Sequence, residues 1–133
     1  MEDEYITVKT AMLAKQKGFN EPCRMFYHSD TIEGKTVLSE IKESTDYTKN
    51  DIPAPTQSLL GRWIREIHRI LVVVSTYYFT GSYYYRILDL DSQYTKNMDH
   101  VLYETDDIFE TFEEAYEFGL EKALTYICKI NDD

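Results

Sequence analysis

The residues of this 133-residue chain whose types and spacing could do chemistry are three arginines, a cluster of tyrosines, three histidines and two cysteines. Arg62, Arg65 and Arg69 recur at i, i+3 and i+7, which places them on one face of a helix. Guanidinium groups so arranged offer fork-shaped, charge-assisted donors to an anion or to nucleic-acid phosphate. Glu66 lies on the same surface, so local charge balance is the competing expectation. Five of the 12 tyrosines cluster at Tyr77, Tyr78, Tyr83, Tyr84 and Tyr85. Strand alternation sends Tyr83 and Tyr85 to one side of a sheet and Tyr84 to the other. Tyrosine packs sheets through cross-strand pairs and also supplies contact area at interfaces. The cluster therefore reads either as sheet packing or as a surface for a partner or for self-association.

His28, His68 and His100 fall on separate elements, and none has a second ligand type at metal spacing. Cys23 with His28 or His68 is the one conceivable nucleophile and base, but a solitary cysteine is more often a small buried thiol. Cys23 and Cys128 are expected to be free thiols. No carboxylate pair stands in an apolar setting that would raise one of them for acid catalysis. The 5 glycines are too scattered to cradle a phosphate. No catalytic, cofactor-binding or metal residue is assigned, and the chain is not expected to be an enzyme.

The element that carries the arginines is the most legible. Leu60, Trp63, Ile64 and Ile67 share one face and predict an amphipathic helix over 56–69. Pro55 fits at or just before its first turn, with Thr56 or Ser58 as cap. The helix runs into Ile70-Leu71-Val72-Val73-Val74, apolar on both faces, which predicts over 70–79 either an interior strand covered on both sides or one covered by helices and a partner. Thr80-Gly81-Ser82 is hairpin-loop material, and 83–90 returns antiparallel. A further strand is expected at 100–104, after a polar loop at 91–99.

A first helix is expected at 7–18, with Val8, Ala11, Met12 and Lys15 on one face. Gly18 suits the left-handed residue past its end, and Phe19 the hydrophobic that follows. Residues 23–28 and 36–41 read as a hairpin, and 42–51 as an exposed loop. A last helix is expected at 111–128. Thr111-Phe112-Glu113-Glu114 is a capping box, and Gly119 inside the helix suggests close packing on a sheet. The order predicts a single α+β domain over 1–133, with about three helices on an antiparallel sheet of about 3–5 strands.

Charge is divided unevenly. The formal net charge of −10 resides in residues 87–133, where thirteen acids face Lys96, Lys122 and Lys129; residues 1–86 are neutral. An acidic end repels duplex phosphate and makes nucleic acid an unfavourable partner. It suits solubility or a basic protein partner. No apolar run reaches the ~20 residues of a membrane helix. The acidic start Met1-Glu2-Asp3-Glu4 is unlike a secretory leader, so a cytoplasmic protein without membrane association is expected.

Three segments carry a resemblance: 9–19, Lys-Thr-Ala-Met-Leu-Ala-Lys-Gln-Lys-Gly-Phe; 52–68, with Ala-Pro-Thr-Gln, Trp63 and the Arg65-Glu66 pair; and 111–120, Thr-Phe-Glu-Glu-Ala-Tyr-Glu-Phe-Gly-Leu. Together they resemble a family of small uncharacterised proteins of Bacteroides-type gut bacteria and their phages or prophages. The resemblance spans most of the chain but omits the tyrosine-rich hairpin and the loop at 42–51. It transfers no catalytic residue. It implies an accessory protein borne by a phage or other mobile element.

Two functions follow from these readings. One is a non-enzymatic protein-binding or regulatory protein using the tyrosine hairpin or the acidic end. The alternative is a nucleic-acid-binding module using Arg62, Arg65 and Arg69. The acidic total favours the first.

Overall fold

The chain opens on a helix whose two ends are set by single residues. Thr7 caps it, its Oγ1 accepting from the Thr10 N–H at 3.4 Å. At the other end Gly18, at φ 97°, turns the backbone left-handed. The Gly18 and Phe19 N–H groups then donate back to the Lys15 and Ala14 carbonyls at 3.1 and 3.0 Å, a closed Schellman end. Helix α1 is Val8–Gln16. Its buried face is Thr10, Ala11 and Ala14, not the expected Val8, Ala11, Met12 and Lys15; Met12 is 49% exposed. Small side chains let the helix sit close to its neighbours, and Ile6 and Ala11, both fully buried, occupy the positions of a hydrophobic staple.

A computed structural model describes residues 4–30, 35–40, 52–77, 79–90 and 101–127. The expectations for the loop at 42–51, Tyr78, the stretch 91–99, His100 and Cys128 lie outside them. The class is α+β, with three helices and antiparallel strands in two sheets. In the first sheet β1, Met25–Asp30, pairs antiparallel with β2, Lys35–Glu40, in the register Met25↔Glu40. A two-residue strand β3, Ile52–Pro53, joins the other edge of β1. A proline is tolerated there because an edge strand need not donate on its outer side.

Helix α2, Gln57–His68, starts at Thr56, whose Oγ1 accepts from the Leu59 N–H at 3.2 Å. Thr56 is therefore the cap, not Ser58. Leu60, Trp63 and Ile64 are buried as expected, but Ile67 is 58% exposed. Ile67 shares their face, yet at its end of the helix the interior is filled by the His68 ring, edge-on to Trp63 at 4.7 Å, and by Ile70. Phe19 closes the other side of Trp63, also edge-on, at 5.1 Å. Arg69 ends the helix at φ 58°, a left-handed turn that starts the next strand at once.

The second sheet has the order β4-β5-β6. Strand β4 is Ile70–Thr76, β5 is Tyr83–Asp89 and β6 is Val101–Glu104. Among the described residues β4 is thus an edge and the interior strand is β5, which corrects the expectation of an interior strand over 70–79; helices α2 and α3 cover one face of β4. Val72 and Val74 pack on the core, while Leu71 and Val73, on the other face, stay outside it. The hairpin tip spans 77–82, longer than Thr80-Gly81-Ser82, and is closed by the Tyr77 N–H donating to the Ser82 carbonyl at 2.8 Å.

Helix α3, Phe112–Leu124, covers β4 and β5. Thr111 caps it, accepting from the Glu114 N–H at 3.1 Å. It buries Ala115, Gly119, Leu120, Ala123 and Leu124. A methyl added at Gly119 would lie 2.6 Å from Val72 Cγ1, so the close approach inferred from this glycine is real. One core holds Ile6, Leu60, Ile64, Ile87, Leu120 and Leu124, all fully buried.

Candidate functional site

Helix propensity and the Thr56 cap fix α2, and burial of Leu60, Trp63 and Ile64 turns its opposite face outward. Arg62, Arg65 and Arg69 are all exposed there. Arg62 and Arg65 come together with Ser58 and Leu59, along one side of α2, and with Tyr116 of α3. These five residues line an open groove of about 430 Å³ between the two helices. Arg69 stands apart, roughly 10 Å along the axis from Arg62 at the helical rise per residue.

The expected charge balance is only partly present. Glu66 approaches Arg65, at 3.9 Å between solvent-exposed side chains, a contact worth ~0–1 kcal/mol. Two of the four acids of α3 are committed elsewhere. Glu117 Oε2 accepts from both the N–H and the hydroxyl of Thr7, at 3.0 Å each, and its Oε1 accepts from Gln57 Nε2 at 3.3 Å. Glu121 pairs with Lys9 at 3.0 Å. The acidic helix thus anchors the N-terminal segment and leaves Arg62 and Arg65 to the groove.

Four of the five hairpin tyrosines can be placed. Tyr85 is only 6% exposed and belongs to the core, so it is no part of an interaction surface. Burial pushes its phenol up to about 12, helped by the Tyr103 ring and nearby acids. Tyr83 lies on the same face and meets the Phe112 ring edge-on at 6.4 Å. Tyr84 lies on the other face beside Tyr77, ring centres 4.7 Å apart, and Tyr77 is 37% exposed. The alternation read from sequence is correct, and its consequence is that half of the cluster is sheet packing.

The acidic end, the other face expected from sequence, carries exposed apolar side chains that the sequence reading did not name as part of it. Residues 101–127 carry eight acids against Lys122. They also expose Val101, Leu102, Ile108, Phe112, Phe118 and Tyr126, each by 38–58%. Phe118 stacks on Phe109 at 5.2 Å, and the Lys122 ammonium sits 4.4 Å over the Tyr103 ring. Phe118 was findable. It falls on the helix face shared with Glu114, Glu121 and Lys122, at spacings of three and four residues, where a polar residue is expected.

Among the described residues no group of three His, Cys, Asp or Glu could hold a metal ion. Cys23 is a free thiol donating to the Glu21 carbonyl at 3.4 Å. Burial and the Glu21 charge push it up to about 11, so it stays protonated at neutral pH and is a poor nucleophile. Burial lowers the His68 imidazole below its usual value. Its Nε2 is enclosed without a hydrogen-bond partner, beside Trp63. Among the described residues no helix is long and apolar enough to cross a membrane. No family model, curated protein or solved structure matches the chain.

Proposed function

We propose that this is a non-enzymatic protein-binding accessory protein, of the phage or prophage kind that the resemblance implies, and that it works through the surface formed by 101–127. The observation that carries this reading is the coincidence of exposed aromatic and aliphatic side chains with dense negative charge. Exposed Phe118, Phe112 and Ile108 give apolar anchors, and Glu104, Asp106, Asp107, Glu110 and Glu114, exposed as well, neighbour them in sequence. Aromatic anchors within a polar rim are the usual make-up of a binding surface. The sign of the rim selects a basic, partly apolar segment and speeds its arrival.

Selection from a displayed peptide library tests this. Binders of the wild-type protein should be enriched in lysine, arginine and apolar residues. The double variant Ile108→Ser/Phe118→Ser should lose them while still unfolding cooperatively, at a midpoint lowered only by the lost Phe109–Phe118 stack. A library that yields no binders, or binders indifferent to the double variant, would sink the proposal.

The alternative, nucleic-acid binding, is favoured by one observation, the exposure of Arg62, Arg65 and Arg69. Three cations on an acidic protein make a small footprint, and the first reading is preferred.

A further inference from the structure

We infer that the groove between α2 and α3 is a binding site for a phosphate monoester, independent of the protein-binding surface proposed above. Three features of its lining converge. Arg62 and Arg65, one helical turn apart on the same wall, present two guanidinium forks to one space, the donor set that a dianionic phosphate takes up best. Ser58 adds a hydroxyl from the first turn of a twelve-residue helix, where the positive end of the backbone dipole also favours an anion. Leu59 and the Tyr116 ring supply apolar wall.

Size selects the ligand further. At about 430 Å³ the groove exceeds what a bare phosphate fills and lies in the range of small-molecule sites. The remainder runs along Leu59 and Tyr116, which suits an organic group with an apolar or flat part. The groove owes its shape to Gly61. A methyl there would run into the Tyr116 hydroxyl, so the glycine is what lets the tyrosine lie down against α2. Two acids of α3 are held away from it, Glu117 by Thr7 and Gln57 and Glu121 by Lys9. Among the described residues Glu66 is the one acid paired with either arginine, and its solvent-exposed contact with Arg65 at 3.9 Å is easily exchanged for a ligand.

Titration of isotope-labelled protein, followed by amide chemical shifts, tests the site with inorganic phosphate, adenosine monophosphate and a short single-stranded DNA. Adenosine monophosphate should bind saturably at one-to-one stoichiometry, moving the amides of 57–66 and 116. It should bind more tightly than inorganic phosphate. Arg62→Gln and Arg65→Gln should each weaken it by at least about tenfold, the size of one charge-assisted hydrogen bond, while Arg69→Gln should not. Thermal midpoints of the variants confirm that they are folded, since both side chains are exposed. Absence of a saturable shift, equal affinity for phosphate and the monoester, or equal loss in Arg69→Gln would overturn the assignment. So would DNA binding that leaves adenosine monophosphate without effect. Because Ile108→Ser/Phe118→Ser lies outside the groove, it should keep the monoester, which separates failure of this site from failure of the protein-binding surface.

Discussion

Helices α2 and α3 both pack on β4, and they use opposite means. Helix α2 reaches the core with bulk: Trp63 fills the space between Phe19 and His68. Helix α3 reaches it by omission: Ala115, Gly119 and Ala123 let its backbone approach the sheet. Their charges are also used differently. Glu117 and Glu121 of α3 hold Thr7, Gln57 and Lys9, whereas Arg62 of α2 lines an open groove. The teaching is that charge on a helix face has no fixed meaning. The more acidic helix has spent two of its acids on the fold, and the less charged one keeps its cations accessible.

The sharpest way to break this contrast is to remove the bulk. Trp63→Ala should cost ~3–5 kcal/mol, because a cavity opens where Phe19 and His68 now meet a ring. Denaturant unfolding measures it. The native protein should also show blue-shifted tryptophan fluorescence that moves red on unfolding, as the 5% exposure of Trp63 requires. Next comes the converse change, Gly119→Ala. The added methyl meets Val72 at 2.6 Å and Tyr85 at 3.2 Å, and overpacking of this kind costs about 1–3 kcal/mol. An unaltered or raised midpoint would show that α3 has room to withdraw.

Smaller effects test the charges. Glu117→Ala should cost about 1–2 kcal/mol, since Gln57 keeps its bond to the Glu113 carbonyl at 2.8 Å while Thr7 loses the two bonds it makes to Glu117. Faster hydrogen exchange confined to 8–16 would identify the loosened segment. Replacing Arg62, Arg65 and Arg69 together with glutamine should shift stability least, by ~0–1 kcal/mol per exposed group. The same triple variant settles the nucleic-acid alternative. If these arginines met phosphates of a strand, wild-type affinity would fall with salt at a slope of roughly −2 to −3, and the variant would lose it. No such complex is expected.

Much of this contrast could be read in the sequence, where a single residue type has one physical use. Thr111 before Phe112-Glu113-Glu114, Gly18 before Phe19 and Gly119 within a helix each marked a cap, a turn or a close approach, and each is found there. Periodicity was less decisive, because it says which residues share a face and not how far the core extends beneath it. Ile67 lies on the buried face of α2 and is exposed; Met12 is exposed while Thr10 and Ala14 are buried. For the same reason β4, apolar on both sides, is an edge strand among the described residues: side-chain pattern reports cover above and below, not neighbours beside. The groove was half legible. The arginine spacing showed Arg62 and Arg65 together, but Tyr116, its other wall, comes from a helix that is distant in sequence.

The bond from Thr7 to Glu117 joins residues 110 apart. Helix α1 is made well before the α3 carboxylates that hold it. On a ribosome it must wait for the whole segment between them to be synthesised. Its nine residues are too few to be stable alone, so its docking follows the arrival of α3. Closure across so long a separation raises contact order, and the docking of α1 on α3 belongs to the slow part of folding. Removing α3 would therefore release helix α1 as well.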